Sequence, residues 1–212
     1  MHSLDHVLNQ TAGRTFQATI AAPARILTDN MALSATESIG GTPLEPINVI
    51  ITAKDLDALS VAMANAGWIK ASKPSLAALS RALWAALANA PYDTAPVTPY
   101  FWNNTPNQVA FQRPTKDDSL RARHHVRFWP TRFVTPDGAR IFVGAASFDD
   151  GLDWTLLHHI DAERDLLAKD LHQAGLVRQA DLVQVTTPHM GQSVAGDPWF
   201  TDGKAAILQI GR

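Results

Sequence analysis

The stretch Arg121-Ala-Arg-His-His-Val-Arg-Phe-Trp129 indicates a β-strand, because β-branched and aromatic residues recur within it. It is followed by Val134-Thr-Pro-Asp-Gly138, which predicts a turn since proline restricts φ and glycine readily takes a positive φ. Residues Arg140 to Phe148 then return as a second strand. The sequence therefore predicts a hairpin around which the rest of the chain is organised.

The two adjacent histidines of the first strand are expected on opposite faces of the sheet. Side chains alternate along a strand. His124 is therefore expected to join Val126 on the core face, while His125 shares the other face with Arg127. Only one of the two imidazoles can enter a given pocket.

The other periodic segments predict further strands and helices. Ile47 to Gly67 is typical of a buried strand followed by a helix, with Thr52 as the N-cap and glycine at the end. Additional helices are expected from Ser75 to Asn89 and from Asp161 to Ala174. Two late strands are expected at residues 182–186 and 205–210. Residues 91–107 hold several prolines among aromatic side chains and predict a long loop.

Read in chain order, these elements predict an α+β fold. We expect a mixed or antiparallel sheet with helices on one face, built on a ferredoxin-like split β-α-β core with insertions. A length of 212 residues predicts a single domain, residues 1–212, in which residues 1–13 are loosely ordered.

Composition and charge exclude several classes of protein. A formal net charge of -2 disfavours nucleic-acid binding, which usually requires a strongly basic surface. The chain has no cysteine, so any metal must be held by histidine, carboxylate or water. We find no apolar run long enough to span a membrane and no secretory signal, and we expect a cytoplasmic location.

Imidazole, guanidinium and carboxylate groups concentrate in the hairpin, at the start of the Asp161 helix and in a late glycine-rich loop. The candidate catalytic residues are His125, Arg127, His158, His159, Asp161, Arg164, Asp197 and Asp202. A histidine in this set is suited to act as a general base or ligand, and the planar arginine side chains match phosphate or carboxylate. The set predicts a pocket for a small anionic or phosphate-bearing ligand.

A divalent metal is an alternative occupant of this pocket. His125, His159 and Asp161 would supply nitrogen and oxygen ligands suited to zinc, manganese or iron, with the neighbouring histidines and Glu163 as alternates. No His-Glu-x-x-His signature supports them. In the purely structural interpretation, the histidines are hydrogen-bonded within the fold, the arginines pair with nearby acids, and the carboxylates cap helices and turns.

Several motifs together resemble the LssY C-terminal domain family, here as a stand-alone copy. They include Ala110-Phe-Gln-Arg113, Arg123-His-His-Val-Arg-Phe-Trp129, Val143-Gly-Ala-Ala-Ser147, His158-His-Ile-Asp-Ala-Glu-Arg-Asp165 and Gly196-Asp-Pro-Trp-Phe-Thr-Asp-Gly203. The resemblance runs from about Pro46 to the end of the chain, so residues 46–212 are expected to form the family-like core. It implies a bacterial domain that occurs alone or as the soluble tail of membrane proteins, and it implies no established reaction.

Two functional hypotheses follow from these observations. The first is a hydrolase-like or anion-binding domain, directed at phosphoesters, that uses the candidate residues. The second is a non-catalytic binding module with an exposed apolar surface around Trp102, Trp129 and Trp199. The chain contains no Gly-rich phosphate loop, no Gly-x-Ser-x-Gly elbow and no dinucleotide-binding fingerprint, which disfavours the enzymes that depend on those motifs.

Overall fold

The computed structural model describes residues 17–71, 100–114, 123–149, 158–193 and 196–211. The strands are Ala18–Thr19 (β1), Ala35–Glu37 (β2), Pro43–Pro46 (β3), Val49–Ala53 (β4), Ile69–Lys70 (β5), Phe101–Trp102 (β6), Thr105–Pro106 (β7), Val109–Pro114 (β8), Arg123–Val134 (β9), Arg140–Asp149 (β10), His158–His159 (β11), Val177–Gln184 (β12), His189–Gln192 (β13), Pro198–Thr201 (β14) and Lys204–Ile210 (β15). The helices are Arg25–Thr28 (α1), Leu56–Asn65 (α2) and Asp161–Gln173 (α3), and a 3-10 turn spans Met31–Leu33.

The main sheet has the strand order β12-β15-β4-β10-β9-β8-β5, and β1 joins the end of β9 in parallel. Neighbours along this order are antiparallel except β4 and β15, which are parallel. Two smaller sheets have the orders β11-β14-β13 and β3-β2-β6-β7. The α+β class and the mixed sheet predicted from the sequence are confirmed.

Strand β4 lies in the middle of the sheet and is covered on both faces. Val49, Ile50 and Ile51 are fully buried, as their β-branched side chains predict. The helix that follows begins later than expected. Thr52 is still within β4, and the N-cap is Asp55, whose carboxylate accepts a 2.7 Å hydrogen bond from the backbone N–H of Ala58.

The two faces of the sheet are covered by different layers. Helices α2 and α3 pack on one face, where the buried residues include Leu59, Met63, Leu167, Leu171, Val126 and Phe128. The short helix α1 and the β2-β3 region cover the other face, where the buried residues include Leu27, Leu44, Ile50, Trp102, Trp129 and Val143. Helices therefore lie mainly, but not solely, on one face.

The predicted hairpin is confirmed as β9 and β10. Gly138 takes a positive φ of 84° in the turn between the two strands. The pairing has an irregularity, because Val134 pairs with Arg140 but Pro130 pairs with Phe142, which leaves extra residues on β9. Beyond this bulge, His125 lies opposite Ser147.

Some expectations change or lie outside the described residues. Within the expected loop at 91–107, β6 and β7 form a hairpin whose turn residues Asn103 and Asn104 take positive φ values of 48° and 60°. Asparagine tolerates this conformation better than most residues, which permits the turn. The late strands are confirmed as β12 and β15, although β12 begins earlier than predicted. The helix expected at 75–89 and residues 1–13 lie outside the described part of the chain.

The burial of α2 gives a direct test of the core. Replacing the fully buried Leu59 with alanine should lower the free energy of unfolding by about 2–5 kcal/mol, because the apolar side chains around the new cavity lose their contacts with Leu59. Val61, on the same helix, is 60% exposed and provides the control, for which Val61→Ala should change stability by less than about 0.5 kcal/mol. Urea unfolding measures both, and equal effects would contradict this packing.

Candidate functional site

A buried ion pair between β3 and β9 lies at the centre of the candidate site. Nη1 of Arg127 is 3.3 Å from Oε2 of Glu45, and the two side chains are only 3% and 6% exposed. The hydroxyl of Tyr100 donates a 3.3 Å hydrogen bond to the other carboxylate oxygen, and the Arg127 guanidinium lies 4.0 Å above the Tyr100 ring. Burial of both charges is tolerated because each is paired and hydrogen-bonded.

Ser147 and His125 join this ion pair from β10 and β9. The Ser147 hydroxyl is 2.8 Å from Oε2 of Glu45 and 2.7 Å from Nε2 of His125. Nη1 of Arg127 is also 2.7 Å from Nε2 of His125. A guanidinium N–H can only donate, so this contact assigns Nε2 as an acceptor. The Ser147 hydroxyl donates its hydrogen to Oε2 of Glu45, and its oxygen lies beside the Nε2 atom that Arg127 also contacts.

A small pocket of about 100 Å³ opens beside this cluster. Its lining residues include Glu45, Ser147, His159, Glu163, Ser193, Asp197 and Trp199. Glu163 comes from the first turn of α3, and its Oε2 atom lies 2.7 Å from Nδ1 of His124. The pocket is large enough for a few water molecules or one small functional group. Carboxylates from different elements thus converge on one cavity.

His159 and Asp197 lie at the pocket but not in the buried cluster. The ring of His159 is exposed and makes an edge contact with Phe200, at 5.7 Å between ring centroids. The Asp197 carboxylate accepts a 3.0 Å hydrogen bond from the hydroxyl of Ser193. Of His158 only the backbone is described, and it pairs with Trp199 of β14.

A separate ionic cluster fixes the start of α3 to the turn before β15. The Arg164 side chain is 2% exposed, and it donates to Asp165 at 2.7 Å, to Asp202 at 2.8 Å and to the carbonyl of Lys204 at 2.9 Å. Asp161 in turn accepts from the backbone N–H of Asp202 at 2.6 Å. None of Asp161, Arg164 and Asp202 lines the pocket. Their hydrogen bonds are directed at one another.

This ionic cluster shifts two ionisation equilibria. Burial opposes the charge of Arg164, but hydrogen bonds to Asp165 and Asp202 outweigh it and raise the pKa of its guanidinium. Burial likewise opposes ionisation of Asp202, yet the Arg164 guanidinium and the Lys204 backbone N–H hold the pKa of that carboxyl below its usual value. The pair is charged at neutral pH and stabilises the fold.

The predicted site residues therefore fall into distinct groups. His125 and Arg127 meet in the buried cluster behind Glu45 and Ser147, whereas His159 and Asp197 line the pocket itself. Asp161, Arg164 and Asp202 form the ionic cluster instead. Three contributors, namely Glu45, Ser147 and Tyr100, are absent from the residues predicted from sequence. Ser147 lies opposite His125 only because of the bulge in β9, which the sequence pattern does not reveal.

The expected metal ligands are distributed over these groups. His125 lies in the buried cluster, His159 is exposed beside Phe200, and Asp161 belongs to the Arg164 cluster. Among the described residues, no three histidine or carboxylate side chains are grouped in a way that could hold a metal ion.

The three tryptophans expected to form the exposed apolar surface of a binding module are buried in the structure. Trp102, Trp129 and Trp199 are 6%, 1% and 5% exposed, so they do not form an exposed patch. Trp102 and Trp129 belong to the buried layer on one face of the sheet, and Trp199 lines the polar pocket. Within the described segments, no helix has both the length and the apolar character needed to cross a membrane.

Fold and site together define an α+β protein with a buried Glu-Arg-His-Ser cluster, of which Glu45 and Ser147 line a small polar pocket. The chain matches the family model described as LssY C-terminus over residues 27–205 and belongs to that family. The resemblance seen in the sequence motifs is confirmed, and the matched region begins before Pro46. No curated protein and no solved structure matches the chain significantly.

The Arg164 cluster predicts a specific dependence of stability on pH. The pKa of Asp202 is depressed in the folded protein, so its contribution is fully present above about pH 4 and is lost as the pH falls through the folded-state pKa. Asp202→Asn should lower the free energy of unfolding by about 1–2 kcal/mol at pH 7, a value discounted because the Asp202 side chain is 33% exposed. The penalty should shrink as the pH falls.

Urea unfolding of both proteins between pH 7 and pH 3 measures this effect. Asp181→Asn provides the control, since Asp181 is exposed and accepts a hydrogen bond from Gln179 outside the cluster. A penalty for Asp202→Asn that is constant over the whole pH range would exclude the ionic explanation.

Proposed function

We propose that the pocket is a hydrolytic active site in which Ser147 is the nucleophile. The observation that carries the proposal is the position of the Ser147 hydroxyl, 2.8 Å from Oε2 of Glu45 and 2.7 Å from Nε2 of His125. A serine hydroxyl is a weak nucleophile until an adjacent base takes its proton, and these distances are within the range such a base requires. Ser147 also lines the pocket, where a substrate can reach it.

The proposed reaction proceeds through a covalent intermediate. The Ser147 oxygen forms a bond to the acyl or phosphoryl centre, and its proton passes to Glu45 or His125. The bond to the leaving alkoxide breaks, and the alkoxide takes that proton. Water then releases the product from Ser147 with the same groups acting in reverse. Arg127 positions this pair of bases, because it contacts both of them.

A donor for the developing negative charge is available in the pocket wall. Trp199 lines the pocket, and its buried Nε1 atom has no acceptor within the described residues. An indole N–H can only donate. The atom has almost no accessible surface, so a substrate oxygen that becomes negatively charged would reach this donor only after the indole turns toward the pocket, where it could act as an oxyanion-stabilising group.

The charges around the pocket favour some classes of ester substrate over others. Glu163 and Asp197 face the pocket with Glu45, and Arg127 is engaged by Glu45. Carboxylates oppose a doubly charged phosphate monoester more than a phosphodiester or an uncharged ester. We therefore propose ester hydrolysis, with phosphodiesters as the phosphoester class that fits best.

Catalysis by Ser147 predicts a clear effect of its removal. Wild-type protein should hydrolyse members of a panel of nitrophenyl carboxylic esters, phosphodiesters and phosphomonoesters, with the monoesters as the poorest substrates. Ser147→Ala should abolish this activity, and His125→Gln should lower kcat by roughly a hundredfold to ten-thousandfold. Initial rates of nitrophenol release measure both effects.

A matched control and a chemical probe complete this test. Ser60→Ala removes a hydroxyl that bonds only within α2, to the carbonyl of Leu56, and it should leave kcat unchanged. A fluorophosphonate should label the wild-type protein at Ser147, as detected by peptide mass spectrometry. Wild-type protein that is inert towards the whole panel and the probe, or full activity in Ser147→Ala, would refute the assignment.

We also propose that the sheet elaborates a ferredoxin-like unit. In its support, β4, α2, β9, β10, α3 and β12 follow one another in β-α-β-β-α-β order, and β4, β10 and β9 are antiparallel neighbours. In such a unit β12 would lie directly beside β4. Here β15 lies between them and is parallel to β4, so it is the inserted strand.

A further inference from the structure

A second and larger cavity lies at the opposite end of the β9 face that carries His125. It has a volume of about 680 Å³, within the range of small-molecule sites. Trp129 in its floor is four residues from His125, which corresponds to about 13 Å along a strand. We call this cavity the Trp cleft, and its apolar lining includes Ile26, Leu33, Trp102, Trp129 and Phe133.

The floor of the Trp cleft is apolar even though it contains two indoles. The Nε1 atom of Trp102 donates to the carbonyl of Leu33 at 2.8 Å, and that of Trp129 donates to the carbonyl of Thr105 at 2.9 Å. Both N–H groups are therefore satisfied within the protein. The indoles lie almost wholly beneath the surface, and the accessible apolar lining comes from Ile20, Leu33 and Phe133.

Among the described residues that line the Trp cleft, the rim carries one uncompensated positive charge. Its charged residues are Arg25, Asp29 and Arg132. Arg25 and Asp29 are 2.7 Å apart and neutralise each other. Arg132 is exposed, and in the described part of the chain no carboxylate lies within 4.0 Å of it. Its guanidinium lies 5.6 Å from the ring centroid of Phe133. The charge is thus placed directly beside the apolar floor.

A second observation, the bulge of β9, accounts for the presence of both Arg132 and Phe133 at the cleft. Between the pairs Val134–Arg140 and Pro130–Phe142 only Ile141 faces the extra residues of β9. The hydroxyl of Thr131 accepts a 3.1 Å hydrogen bond from the backbone N–H of Phe133, which holds the irregular conformation. Bulges redirect side chains and occur often beside functional sites. Without this bulge, regular alternation would place Arg132 and Phe133 on opposite faces of the sheet.

We propose that the Trp cleft binds a small organic monoanion with an apolar body. Its carboxylate pairs with Arg132, and its body lies on the partly exposed side chains of Ile20, Leu33 and Phe133. A guanidinium binds a carboxylate through two parallel hydrogen bonds. The apolar lining adds binding free energy in proportion to the apolar area that the ligand removes from water. An ammonium in the same position is repelled. The proposal does not depend on hydrolysis at Ser147, since it concerns binding at a separate cavity.

Titration with octanoate, octanol and octylammonium chloride at pH 7 tests this proposal. Isothermal calorimetry should give one site for octanoate on the wild-type protein, with octanol binding more weakly and octylammonium most weakly. Arg132→Ala should weaken octanoate binding by about tenfold, which is typical of losing one charge-assisted contact, and leave octanol binding unchanged. Arg132→Glu should reverse the order of octanoate and octylammonium.

Two further variants separate the cleft from other surfaces. Thr19 is an exposed residue of the rim, and Thr19→Trp should block octanoate and octanol alike by adding bulk. Arg178 is exposed and outside the cleft, so Arg178→Ala should bind like the wild-type protein. Far-ultraviolet circular dichroism checks that each variant is folded. Absence of octanoate binding, or binding that is equal in wild-type protein, Arg132→Ala and Arg132→Glu, would overturn the proposal.

Discussion

Side-chain alternation along β9 assigns each residue of this strand to one of two packed layers. Because the strand is covered on both faces, each residue must suit the layer above it or the layer below it. Val126 and Phe128 meet the helices, whereas His125, Arg127 and Trp129 face the layer of β2 and β3. A one-residue slip in register would place the charges beneath the helices, at a cost of several kcal/mol for each unpaired charge, which is a large part of the stability of a domain. The polar pocket and the Trp cleft both follow from this arrangement.

Buried charges explain why the arginines are not where an anion would bind. Arg127 and Arg164 are almost fully inaccessible, and each contacts a carboxylate. A buried guanidinium without such a partner would cost several kcal/mol, so the partner is part of the fold. The anionic ligand suggested by the arginine-rich sequence would have to compete with these internal carboxylates. Arg132 differs because water solvates it and no internal carboxylate is needed.

Strong local patterns made much of the fold predictable from sequence. The β-branched run of β4, the turn at Gly138 and the apolar stripe of α3 all mark their elements correctly. The polar edge strand β12 was found only in part, because its exposed residues show no apolar alternation. The opposite placement of His124 and His125 also follows from the strand period alone.

The site itself was less predictable, for two physical reasons. Counting back from the pair Val134–Arg140 without a bulge would place His125 opposite Asp149, and the bulge places Ser147 there instead. Glu45 belongs to a short strand bounded by Pro43 and Pro46, which reads as irregular chain in the sequence. Long-range pairing alone brings it to Arg127.

The described lining residues of the two cavities differ in charge, with carboxylates at the polar pocket and Arg132 at the Trp cleft. Arg127, stacked on Tyr100, separates the polar pocket from the Trp cleft, but its charge is neutralised by Glu45. The pocket therefore keeps the negative potential of Glu163 and Asp197, while the cleft keeps the positive potential of Arg132. Had Arg127 been unpaired, its field in this low-dielectric layer would have reached both cavities and made them alike. The Glu45–Arg127 pair thus leaves Arg132 as the source of positive charge among the described residues of the Trp cleft outside the Arg25–Asp29 pair.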